Sequence, residues 1–162
     1  MEFTVKTELD LSGFDKIRKA CETLSKPVEV GILHNSEEAQ IGALQHYGGT
    51  GVYQYGKYEG QEVDIPPRPF LAHAIETYGK DVLNEVAKGL EIKGFDSGTA
   101  DSILNKVGER LKEATQLTIH EYAAHEHEYP HNSARTIETK GKDSPLIDTG
   151  KMLMSIEYEV VK

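Results

Sequence analysis

Cystine has no part in this chain. Cys21 is its only cysteine, so no intramolecular bridge can form, and the missing framework fits a reducing compartment. Long apolar runs are missing too. No stretch approaches the roughly 20 apolar residues that a bilayer span needs, so no membrane association is expected. Met1-Glu2-Phe3-Thr4-Val5-Lys6 alternates instead of setting a basic region before an apolar one, and the reading is of a protein made and kept in a cytosol. Basic charge is scarce: 18 Lys and Arg stand against 27 Asp and Glu, for a formal net charge of -9. Nucleic-acid affinity comes largely from Lys and Arg displacing condensed counterions, so specific nucleic-acid binding is not expected. Nucleophilic Gly-x-Ser-x-Gly surroundings are absent. Gly150-Lys151 is no phosphate loop, because Met152 stands where Ser or Thr would bind magnesium and Pro145 where the first glycine belongs. No cofactor and no catalytic residue are therefore assigned.

What is present is enough for a core. The 162 residues, 38% hydrophobic and 28% charged, form one domain of ordinary size, residues 1–162. Phe3, Val5, Leu9 and Leu11 alternate as a first strand. Ser12 with Asp15 resembles a capping box opening a short helix, whose apolar side is Phe14, Ile17, Cys21 and Leu24, with Cys21 expected as a small buried hydrophobe. Val28, Val30 and Ile32 give a second strand. Asn35 with Glu38 starts another helix, its stripe Ile41, Leu44 and Tyr47 stopped by Gly48-Gly49. Residues 48–69 mix five glycines with Tyr53, Tyr55 and Tyr58, which resists a regular helix and reads as a long loop or mobile β-arm over 48–66, a candidate contact surface.

Ile65-Pro66-Pro67-Arg68-Pro69-Phe70 is held extended, since each proline fixes its own φ and pushes its predecessor out of the helical region. Leu71, Ile75, Tyr78, Val82 and Val86 then mark a helix from about Phe70 to Lys88, with Gly89 or Gly94 to end it. Thr99 caps a second long helix carrying Ile103, Leu104, Val107, Leu111, Ala114 and Thr118 toward Tyr122. After Pro130 a polar loop runs to Gly150, and Met152, Met154, Ile156, Tyr158 and Val160 alternate as a closing strand. The expected fold is α+β: a small, mainly antiparallel sheet packed against two longer and two shorter helices.

Two clusters raise the question of chemistry. Asp148-Thr149-Gly150 after two apolar residues has the local form of an aspartic-protease motif, but that mechanism needs a second Asp, from a repeat or a twin subunit; the sequence holds no second copy, and only Lys151 to Lys162 follow the motif where a retroviral-type protease has most of its fold. His120, His125, His127 and His131 lie among Glu121, Glu126 and Glu128, and imidazole with carboxylate suits zinc. His120-Glu121-Tyr122-Ala123-Ala124-His125 has one residue too many for the zinc-protease helix, which leaves opportunistic metal binding against a polar helix end and loop.

Two stretches together resemble one family, the tail-completion and head-tail joining proteins of tailed bacteriophages. Ile65-Pro66-Pro67-Arg68-Pro69-Phe70-Leu71 resembles that family's Pro-rich lead-in to its main helix. Asn132, Thr136, Lys140-Gly141, Pro145-Leu146-Ile147-Asp148-Thr149-Gly150 and Ile156 resemble its closing pattern, with Val30-Gly31-Ile32 and Tyr47-Gly48 in the expected order. The residues 52–58 and the His-rich segment 120–131 depart from it. The resemblance implies a structural virion protein and not an enzyme. It would form a ring-like homo-oligomer with neck or tail partners, first in the host cytoplasm and then in the virion. Its contacts would fall on residues 48–64 and 130–143, with Tyr53, Tyr55, Tyr58, Arg68 and Asn132 as interface candidates. Asp148, Thr149 and Gly150 would then be a structural turn, since Asp and Thr bond nearby amides and Gly permits positive φ. Two alternatives stand beside this: a metal-dependent hydrolase using the His-rich segment, and a generic protein-binding adaptor.

Overall fold

A computed structural model describes residues 12–93, 96–124 and 129–161. The strand expected at residues 3–11 lies outside them. In chain order the elements are α1 (Ser12–Leu24), β1 (Val28–Gly31), α2 (Glu37–Tyr47), β2 (Gly49–Val52), β3 (Glu62–Ile65), α3 (Phe70–Lys93), α4 (Ser97–Ala124), α5 (Ala134–Lys140), α6 (Lys151–Met154) and β4 (Glu157–Val160). Among the described residues the fold is α+β and mostly helical, with two small antiparallel sheets, β1–β4 and β2–β3.

Helices α3 and α4 form an antiparallel hairpin, because Tyr78 bonds Glu121 while Glu85 meets both Lys106 (2.7 Å) and Arg110 (3.3 Å). Helix α3 runs through Gly89 to Lys93, past the expected stop, since Gly89 sits against Ile103 of α4 and packing there outweighs its weak helix propensity. The cap of α4 is Asp96, not Thr99: its carboxylate accepts from the Thr99 amide (2.7 Å) and hydroxyl (3.1 Å). Likewise Ser36, one residue past Asn35, caps α2 by accepting from the Ala39 amide.

Helix α1 packs on α4 through its small residues, Ala20 and Thr23. Its larger apolar residues face outward, with Phe14 76% and Ile17 48% exposed, and Cys21 is exposed as well. Helical spacing identified a stripe there, but the neighbouring helix takes the narrow side of α1 instead. On α2, Ile41 and Tyr47 are also exposed, and Gly42 is the residue buried.

Strands β1 and β4 pair with Val28 opposite Val160 and Val30 opposite Tyr158, laying those side chains on α4 and turning Glu29, Glu157 and Glu159 to the outside. The closing strand starts at Glu157, not Met152. Residues 151–154 make a helical turn that buries Met152 and leaves Met154 79% exposed. The polar loop expected after Pro130 contains α5, capped by Ser133 and stopped by a left-handed Gly141. The core gathers Phe70, Ile119, Tyr122, Met152 and Ile156, with Val30, Ile32, Leu71, Tyr129, Leu146 and Ile147 packed against it.

Gly108, buried in the middle of α4, is where the Tyr158 ring of β4 seats, and a Cβ there would overlap that ring. In most helix interiors Gly→Ala stabilises by about 0.5–1 kcal/mol. Gly108→Ala is expected to reverse that sign and lose about 1–3 kcal/mol through overpacking. A melting temperature at or above the parent's would refute this.

Candidate functional site

The Pro-rich lead-in, the hairpin β2–β3, α2, α5 and the turn before α6 enclose a cleft of about 540 Å³. That size is typical of clefts that accept ligands. Its position follows from local chemistry. Gly48 ends α2 at φ 74°, and a Cβ there would stand 2.8 Å from the Pro67 nitrogen and 2.9 Å from the Ile65 oxygen, so only glycine lets the returning strand lie so close. Pro66, Pro67 and Pro69 then keep that strand extended up to α3.

Arg68 is 2% exposed. Its Nε donates to the Pro130 carbonyl (2.9 Å), Nη1 to Gln45 Oε1 (2.8 Å) and Nη2 to the His131 carbonyl (2.9 Å), and its amide donates to the Gln45 carbonyl (2.8 Å). All three side-chain acceptors are carbonyl oxygens, two from the backbone and one from the Gln45 amide. Burial pulls its proton affinity below the usual guanidinium range, against a weaker opposing pull from Asp143.

The tyrosine arm is a hairpin folded onto α5 and the turn. The Tyr53 hydroxyl shares hydrogen bonds with Ser133 (3.1 Å) and Thr136 (3.3 Å), and its ring is buried. Tyr55 donates to Asp148 Oδ2 (2.6 Å), which raises the phenol's pKa. Tyr58 donates to Glu138 Oε2 (2.6 Å), and Lys57 meets the other oxygen at 3.1 Å; these bonds lower the Glu138 pKa.

Asp148, Thr149 and Gly150 do form a turn, with Gly150 at φ 82° and the Thr149 hydroxyl accepting from the Lys151 amide (3.4 Å). The Asp148 carboxylate bonds Tyr55 instead of a nearby amide. Just upstream, Leu146 holds φ 64°, the one positive-φ residue other than glycine among the described residues. Strain of that kind costs on the order of 1–3 kcal/mol.

Tyr53, Tyr55, Arg68, Asn132, Asp148, Thr149 and Gly150 all line the cleft, although they come from three separate parts of the chain. Tyr58 does not line it; its ring lies between the Tyr53 ring and the Arg135 guanidinium. The Asn132 side-chain nitrogen is buried with no hydrogen-bond partner, while its amide donates to Asp143. Lys140 drew notice only through the Lys-Gly pair of the resemblance, and Gln45 carried no signal at all. Both line the cleft.

The His-rich segment is only partly described: residues 125–128, including His125 and His127, lie outside the described residues. His120 is exposed on α4, and His131 Nδ1 stands 2.9 Å from Asp143. Among the described residues no group of three or more His, Cys, Asp or Glu is arranged to hold a metal. Comparison with protein-family models, with curated proteins and with solved structures found no match.

Arg68→Leu leaves three acceptors without their donor and is expected to lose about 3 kcal/mol or more in urea unfolding, with Arg68→Lys recovering only a minor part because an ammonium cannot span the same fork. A loss under about 1 kcal/mol would contradict the role given to Arg68. The hairpin tip is fastened by exposed polar bonds, which solvent screens and which add little to global stability. Tyr55→Phe with Tyr58→Phe should therefore leave global stability nearly unchanged yet speed proteolysis within residues 53–61. Unchanged cleavage would show that the tip is held by other contacts.

Proposed function

We propose that this protein is a structural component of a tailed-phage virion, completing the tail or joining head to tail through protein–protein contacts. It acts as a ring-like homo-oligomer bound to neck or tail partners, assembled in the host cytoplasm and carried in the virion. The observation that carries this reading is spatial. The two stretches on which the family resemblance rests, 65–71 and 132–150, lie far apart in sequence yet both line one cleft, and two of the three Arg68 side-chain bonds reach the carbonyls of Pro130 and His131 just ahead of the second stretch. Motifs that fold together around a shared surface fit a contact role better than scattered coincidence. Apolar side chains left outside support it further: Ile75 and Leu83 on α3, Leu117 on α4, Tyr47 and Met154 are all exposed. Such residues suit burial against other subunits.

Light scattering of the purified protein over a concentration series tests this. The expected mass is a discrete multiple of the 18.0 kDa chain, or one that climbs with concentration to such a multiple. A chain that stays monomeric throughout and also fails to co-purify with neck or tail subunits expressed beside it would overturn the proposal.

A further inference from the structure

Three cations line the cleft, Arg68, Lys140 and the exposed Lys151, and the first two are drawn into its wall without a carboxylate against them. Arg68 is buried and bonds only neutral carbonyl and amide oxygens. Lys140 is partly buried and gives one hydrogen bond, to the Ser144 carbonyl (2.6 Å), although an ammonium carries three donors. Among the described residues neither has a carboxylate oxygen within 4 Å. Burial lowers the Lys140 pKa most; Asp148 opposes this, while Lys142 and Arg68 lower it further and Asp143 raises it. A lysine held where its own charge is disfavoured gains from an anion brought to it. The unpartnered Asn132 nitrogen lies in the same wall. The remaining walls, among them Ile41, Val63, Ile65 and Met152, are apolar.

We infer that this cleft receives an extended segment of a neighbouring protein subunit, with a carboxylate directed at Lys140 and apolar side chains on either side of it, while the buried Arg68 acts only through its charge. A chain of phosphates does not fit, because Glu37, Glu38, Asp64 and Asp148 also border the opening and repel a multiply charged polyanion, whereas a single carboxylate flanked by apolar groups passes them. The inference rests on the assembly reading only for the source of the segment.

The test pans the purified full-length chain against a bead-bound library of random linear hexapeptides. Enriched peptides should share an Asp or Glu beside apolar residues, and replacing that acid by its amide should weaken binding about tenfold or more. Amide shifts on binding should map to residues 52–55, 132–140 and 146–152. Lys140→Met should abolish the preference for acid while the melting temperature stays near the parent's, and Lys140→Arg should keep it. No enrichment, enrichment of basic peptides, or binding indifferent to Lys140→Met overturns the inference. Acidic peptides bound by a strictly monomeric, partnerless chain would sink the assembly reading and leave the cleft as described. Rings that form regardless of Lys140→Met, with no peptide enriched, would do the reverse.

Discussion

Taking a guanidinium out of water costs several kcal/mol unless donors and acceptors replace the lost hydration. At Arg68 the replacement is drawn from two distant places: Gln45 on α2 and the carbonyls of Pro130 and His131 ahead of α5. Each bond restricts a different piece of chain, so the planar fork acts as a three-way joint. The prolines on both sides fix where the fork can point. The cleft, the placement of α5 and the seat of the hairpin follow from that one buried charge.

Much of this fold was legible, and the misses have physical causes. Helices α3 and α4 are long enough for apolar spacing to speak clearly, and β1 alternates over enough residues to be recognised. Helix α5 was hidden because seven residues with one large apolar side chain, Ile137, carry no period, although its Ser133 and Gly141 caps stood in plain view. Helix α6 was mistaken for strand because Met152, Met154 and Ile156 alternate; the alternation spans a turn of helix followed by a bend, and only Glu157–Val160 pairs. Periodicity on α1 found an apolar stripe but gave no sign of which side a neighbour would choose, and Ala20 won over Phe14 because small side chains let two helices approach.

The candidate site was legible in its parts and not in its assembly. Tyrosines in a glycine-rich segment, an arginine among prolines and an Asp-Thr-Gly turn each drew notice separately. That they line one cleft depends on Gly48 allowing the chain to double back and on Arg68 reaching the far strand, neither of which spacing encodes. Its electrostatics were invisible as well. The chain is acidic as a whole, and carboxylates border the cleft too, yet Arg68 and Lys140 in its wall have no ion pair among the described residues.

Strands β1 and β4 join stretches of chain more than a hundred residues apart. Closing so long a loop is entropically costly before any contact offsets it, and pairings of this kind form late and slowly. The α3–α4 hairpin, whose contacts are nearer in sequence, can assemble first and present the notch at Gly108. Tyr158 then enters a socket already made, and its ring, together with Val28, Val30 and Val160 against α4, favours the observed register of the sheet.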